Sequence, residues 1–118
     1  SAFDIADGIL AIAANMLERP KEKALRGTFH MTASGEASWA DFAAAIIAHS
    51  ESHGGPTAKV EKTTTDAFGF KAKRPAHSRL LNDKLAKVHG VRLPPWEASI
   101  GDVVARVLAD EPNRIAEK

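Results

Sequence analysis

The sequence predicts an α/β domain, in the form of an α+β fragment with about four helices and two short strands. Apolar residues recur at helical spacing in four segments, residues 3–17, 38–53, 82–90 and 96–111. Only residues 28–32 and 59–65 have the β-branched or alternating character of strands. Because an isolated pair of short strands is marginal in water, the pattern also predicts a partner segment elsewhere.

The first helix is predicted over residues 3–17. Its apolar stripe comprises Ile5, Ile9, Ile12 and Met16, at spacings of four, three and four. Ser1 is a suitable N-cap, and a proline at position 20 ends the helix.

The second helix is predicted to start at Ser38, because Ser38 and Asp41 form the S-x-x-D pattern of a capping box. A glycine pair at 54–55 ends it. Asn82 is expected to cap the third helix, which closes at Gly90.

The final helix is expected to stop at residues 111–112, where a proline follows Glu111. It carries one apolar face, formed by Trp96, Ile100, Val103, Val104, Val107 and Leu108. The boundaries that follow are a domain over residues 1–112 and a polar tail over 113–118.

The composition argues against several classes of function. The 118 residues are 44% hydrophobic, enough for one domain with a core, and the formal net charge is +1. This near-neutrality gives no support to nucleic-acid or membrane-surface binding. The longest strongly apolar run, at 9–14, is too short for a membrane span. The chain has no cysteine, which fits a cytoplasmic protein.

Two histidines four residues apart, His49 and His53, are the best candidate metal ligands. They lack the His-Glu-x-x-His order and an obvious third ligand, so no metal site is predicted. His30 is expected to face away from Phe29 and Met31, in a structural role. Ser34 lacks the Gly-x-Ser-x-Gly context of a nucleophile, so no catalytic residue is predicted in this chain.

Residues 71–79 contain a cluster of cations, in which Arg74 is the candidate ligand-binding residue. Pro75 fixes the backbone beside it, so its guanidinium can present a fork of donors to a phosphate or carboxylate. Lys71 and Lys73 are better explained as solvated loop residues. Trp39 is predicted to be a packing anchor at the start of its helix, as is Trp96.

A resemblance to a known family covers nearly the whole chain. Residues 27–43, GTFHMTASGEASWADFA, resemble the run G-x-[FY]-H … S-G-x-x-[ST]-W-x-[DE]-[FY]-A of dTDP-4-dehydrorhamnose reductases. The segments at 63–66, 74–78, 84–85 and 93–97 follow in the same family's order and spacing. The chain is thus similar to the smaller, substrate-binding domain of a Rossmann-type, extended short-chain dehydrogenase/reductase.

The resemblance implies that the nucleotide-binding half is absent from this chain. That half carries a Gly-rich turn and a Tyr-x-x-x-Lys pair in the family, whereas this sequence has no tyrosine. NADPH would be bound by the absent half. In this chain, the resemblance implies that Arg74 reaches the pyrophosphate of a nucleotide-sugar substrate, with Ser78 as a weaker companion. A homodimer of the parent protein is one open option.

The resemblance leaves two functions open. In the first, the chain is part of an NADPH-dependent reductase that reduces the C4 keto group of dTDP-4-dehydro-6-deoxy-L-mannose to give dTDP-L-rhamnose. The chain would then be inactive alone, because its proton donor lies elsewhere. In the second, the chain is a non-catalytic regulatory module of the same fold that partners another enzyme.

Overall fold

A computed structural model describes residues 1–69, 72, 75 and 77–115. The helices in this part of the chain are α1 (Ala2–Glu18), α2 (Trp39–Ser52), α3 (Thr65–Phe68), α4 (Asp83–His89) and α5 (Trp96–Ile115). A 3₁₀ turn, Lys23–Leu25, follows α1. The residues form two compact units, one of residues 1–35 and 79–96, the other of 36–78 and 97–118.

The predicted α/β fold class, with two strands, is wrong. The described residues are helical or irregular, with one isolated parallel bridge between Ser34 and Pro95. Residues 28–32 form no strand, and side chains bind their backbone instead: Lys84 Nζ donates to the Thr28 carbonyl at 2.8 Å, and the Asn82 amide binds the backbone of Thr32. A strand needs backbone partners, and none lies along this stretch among the described residues.

The second predicted strand, 59–65, is also wrong, because its last two threonines, Thr64 and Thr65, lie at the start of α3. Thr64 Oγ1 accepts a hydrogen bond from the Ala67 N–H at 3.2 Å, at the start of α3. A threonine hydroxyl in this position satisfies an amide that the first helical turn leaves open. The β-branched residue Thr64 therefore caps a helix here and does not belong to a strand.

The predicted caps of the first two long helices are confirmed. Ser1 Oγ accepts from the Asp4 N–H at 3.3 Å, while the Asp4 carboxylate accepts from the backbone nitrogen of Ser1 at 2.7 Å. Ser38 Oγ accepts from the Asp41 N–H at 3.1 Å. The third cap is different: Asn82 stands at the N-cap of α4, yet its side chain makes no capping bond.

The last helix is longer than predicted, since α5 continues to Ile115, past Pro112. Proline removes one helical hydrogen bond, and that loss did not end the helix here.

The core of the first unit lies under α1. Leu85, Val91 and Leu93 are its buried cluster, and the partly buried residues packed against them are Ile5, Ile12, Phe29 and Met31. The buried side of α1 is therefore Ile5, Gly8 and Ile12, and the predicted stripe was wrong about Ile9 and Met16, which are exposed. In the second unit, Ile100 and Val104 are buried on α5, and Phe42, Ile46 and Ile47 of α2 are half-buried.

No helix in the described part of the chain combines the length and apolarity needed to cross a bilayer.

Candidate functional site

The predicted ligand-binding residues occupy the segment that leads from α3 to α4. Arg74 lies outside the described residues. Ser78 is described and is exposed to solvent, so its hydroxyl is accessible to a ligand. Neither role is tested by the geometry, and both stay predictions.

The described end of this segment is anchored at Asn82. Its Oδ1 accepts from the N–H of Thr32 at 3.2 Å and from the hydroxyl at 3.3 Å. Its Nδ2 donates to the Thr32 carbonyl at 3.0 Å and to the hydroxyl at 2.9 Å. Both the amide oxygen and the amide nitrogen are thus used, so the side-chain orientation is defined. The anchor fixes where the chain leaves Leu81 and enters α4, within the first unit.

A second anchor in the first unit involves Ser34. Its N–H donates to the Pro94 carbonyl at 3.0 Å, and its hydroxyl donates to the Leu93 carbonyl at 2.8 Å. The Trp96 N–H donates in turn to the Ser34 carbonyl at 3.0 Å. Ser34 therefore holds the connector that precedes α5.

His89 is the buried titratable side chain of the first unit, only 6% exposed. Its Nε2 lies 3.2 Å from the Leu25 carbonyl, and its ring meets Phe29 edge-on at 4.8 Å. A carbonyl only accepts, so Nε2 carries the proton. Nδ1 is buried and has no hydrogen-bond partner among the described residues. The Asn15 amide also donates to the His89 carbonyl at 2.8 Å, which ties α1 to the end of α4.

The two candidate metal ligands do not form a metal site with other residues. His53 Nδ1 lies 2.8 Å from the His49 carbonyl, where it can serve as a cap at the end of α2. The His49 ring lies beside Gly101 of α5 instead. Within the described ranges, no three side chains of His, Cys, Asp or Glu are grouped to hold a metal ion.

Trp39 is not the packing anchor that its position predicted. Its side chain is 86% exposed, and it lines an apolar cavity of about 260 Å³ with Ala37, Ser38 and Phe42. The wall of this cavity is the first turn of α2. Half-buried Phe42 belongs to the second unit's core side of the helix, whereas Trp39 points to its outside.

The polar border of this turn is an ion pair. Lys62 Nζ lies 2.6 Å from Asp41 Oδ1, and Ser38 Oγ donates to Asp41 Oδ2 at 2.6 Å. The Lys62 hydrogen bond, followed by the Ser38 bond, lowers the pKa of Asp41 from its ordinary 3.8 to about 2. The Asp41 carboxylate balances the positive charge of Lys62, so this pair offers no net positive charge to an anionic ligand.

Sequence reasoning missed Asn82 and His89 as organising residues. The sequence around Asn82 predicts a helix cap, and it does not predict a hydrogen bond to Thr32, which is distant in the chain. His89 could have been found from its position in the last turn of α4, directly before the glycine that ends the helix.

Comparison with known proteins matches residues 1–109 to the family described as the RmlD substrate binding domain. A dTDP-4-dehydrorhamnose reductase of Sinorhizobium fredii is 40% identical over 110 residues, covering 93% of this chain and 37% of the relative. The corresponding reductase of Burkholderia thailandensis is 35% identical over 113 residues, covering 92% and 38%.

A more distant match, at 29% identity over 108 residues, is a probable dTDP-4,6-dihydroxy-2-methyloxan-3-one 4-ketoreductase of Streptomyces antibioticus; it covers 92% of this chain and 33% of that protein. The chain thus spans less than two fifths of the length of these curated relatives.

Proposed function

Since the chain belongs to the RmlD substrate binding domain family, we propose that it is the substrate-binding part of a dTDP-4-dehydrorhamnose reductase. The parent protein would reduce the C4 keto group of dTDP-4-dehydro-6-deoxy-L-mannose to give dTDP-L-rhamnose. The observation that carries this proposal is the match over residues 1–109, supported by the reductases that align with more than nine tenths of the chain.

In this proposal the chain binds and orients the nucleotide sugar. Arg74 is the proposed clamp on the pyrophosphate, because a guanidinium can donate two parallel hydrogen bonds to phosphate oxygens. Ser78, which is exposed, would add a hydroxyl donor. Within the first unit, Asn82 would hold the start of α4 to Thr32.

The reductant of the parent is proposed to be NADPH, a source of hydride. The first turns of α1 and α2, in the described part of the chain, do not fit as its binding site. A dinucleotide pyrophosphate binds free amides at a helix N-terminus. In α1 and α2 the first turn is closed by its own serine and aspartate, and each carboxylate would repel an anion. We therefore assign NADPH and the proton donor to the remainder of the parent, which we place in the cytoplasm.

The test is an assay of the full-length parent with NADPH and dTDP-4-dehydro-6-deoxy-L-mannose. We expect NADPH oxidation that depends on the sugar nucleotide, with dTDP-L-rhamnose as the product, and no oxidation by the 118-residue chain alone. A parent that binds the sugar nucleotide but oxidises no NADPH would contradict the reductase. That result would favour the non-catalytic module, which the reductase names of the relatives do not favour.

A further inference from the structure

The outer side of α1 is apolar and exposed. Leu10 is 68% exposed and Leu17 is 81% exposed, and Ile9 lies beside them. Most of the helix away from the core consists of such side chains and of alanines: Ala2, Phe3, Ala6, Ile9, Leu10, Ala13, Ala14 and Leu17. Isolated exposed leucines are ordinary, but a continuous apolar helix side marks an interaction surface.

This outer side is separate from the one that builds the chain's own core. Ile5 and Ile12 pack on the buried cluster of the first unit, and Gly8 closely approaches Met31 and Leu93. The spacing of Phe3, Ala6, Leu10, Ala13 and Leu17 alternates between three and four residues. That spacing places them along one seam of the helix, with alanines that allow a close approach. A helix with apolar residues on two sides is normally covered on both of them.

We propose that this outer seam of α1 packs against an apolar surface in the remainder of the parent polypeptide. The relatives are more than twice as long as this chain, so a large part of the parent is available to cover it. The proposal requires a longer parent, as the proposed function does, but it is independent of the reaction catalysed.

The charges of α1 argue against a lipid surface as the occupant. The ionisable residues of the helix are Asp4, Asp7 and Glu18, all acidic. Interfacial helices that bind membranes carry lysine and arginine on the polar side, because anionic lipids attract them. An acidic helix would be repelled by such a surface.

A second copy of the chain is also a poorer occupant. A specific dimer buries about 800 Å² per partner. A single seam of partly exposed side chains supplies only part of such an area. Two surfaces within one polypeptide need less buried area to stay in contact, because the chain already holds them at a high effective concentration.

The experiment is cysteine labelling in the full-length parent under native conditions. Leu10→Cys probes the seam, and Asp7→Cys, on the exposed polar edge of the same helix, is the matched control. Maleimide labelling of the peptide that contains α1 is followed by mass spectrometry. We expect Leu10→Cys to react about tenfold more slowly than Asp7→Cys, because the buried site must first open locally. Leu17→Cys provides a second probe if the first variant folds poorly.

The same two variants in the 118-residue chain should react at similar rates. Equal rates in the parent would overturn the proposal, as would protection already present in the 118-residue chain. Protection that disappears on dilution would assign the seam to a second copy, and protection that needs phosphatidylglycerol vesicles would assign it to lipid; either result overturns the proposal. Labelling needs no substrate. A parent without reductase activity but with a protected Leu10→Cys would therefore contradict the proposed function and still support this inference.

Discussion

Asn82 acts as a substitute strand for Thr32: its side-chain amide binds both the N–H and the carbonyl of that residue, at 3.2 and 3.0 Å. A neighbouring strand would offer the same donor and acceptor from its backbone. The relationship supplies partners for the Thr32 backbone in the absence of a sheet, and it gives Asn82 a role that a helix cap would not have.

Replacing Asn82 should destabilise the protein. Asn82→Ala leaves the N–H and carbonyl of half-buried Thr32 without these partners, at a cost of about 1–3 kcal/mol. Asn82→Asp keeps an acceptor for the N–H but loses the donor to the carbonyl, so it should retain part of the stability. Urea unfolding followed by circular dichroism measures both. If Asn82→Ala unfolded at the wild-type urea concentration, the substitute-strand role would be wrong.

His89 should be more sensitive to substitution than an exposed histidine. His89→Leu removes the donor to the Leu25 carbonyl and the edge-on contact with Phe29, and we expect a loss of about 1–3 kcal/mol. The matched control is His30→Leu, where the side chain is exposed and the change should stay within about 0.5 kcal/mol. Equal stability of the two variants in thermal unfolding would show that the buried hydrogen bond contributes nothing.

Asp41 should titrate unusually low, and Lys62 should be the main reason. The pKa of Asp41 is about 2, below the ordinary 3.8 expected in the unfolded chain. The stabilisation is therefore fully present above pH 3.8 and is lost as the pH falls towards 2. Lys62→Met should raise the pKa towards 3.8, as measured by NMR of the carboxyl group.

Lys59→Met is the control for that titration, since Lys59 pairs with Glu61 at 3.1 Å instead. It should leave the pKa of Asp41 unchanged. The assignment of Lys62 as the largest cause fails if both lysine variants leave the Asp41 titration curve in place.

Arg74 should act on substrate binding more than on chemistry. Arg74→Ala in the full-length parent should raise KM and lower kcat/KM by about ten- to a hundredfold, given about 1.5–3 kcal/mol for a charge-assisted bond. Arg74→Lys should recover only part, because a point charge lacks the two-pronged fork. Steady-state kinetics with the nucleotide sugar measures these effects.

Lys73→Ala is the neighbouring control, and it should leave KM unchanged. An Arg74→Ala parent with unchanged KM and unchanged product inhibition by dTDP-L-rhamnose would show that Arg74 only pairs with a surface carboxylate.

The sequence by itself determined the family and the existence of four of the five α-helices described, all but α3. Ser1 and Ser38 each predicted the start of a helix, because an N-cap depends only on the serine and on the residue three positions later. The motif at 27–43 led to the same family that the comparisons show. Alternation also placed His30 on the side opposite Phe29 and Met31, and in the structure His30 is exposed while Phe29 and Met31 pack against the core.

Tertiary structure alone decided whether the two segments predicted as strands, 28–32 and 59–65, would pair in a sheet. Strand formation depends on a backbone partner distant in the chain, and here the side chains of Asn82 and Lys84 took that place. It also decided which side of α1 is buried: the apolar pattern runs almost all round the helix, so periodicity gave no single answer. Only the position of Leu85, Val91 and Leu93 selected Ile5 and Ile12, and left Leu10 and Leu17 exposed.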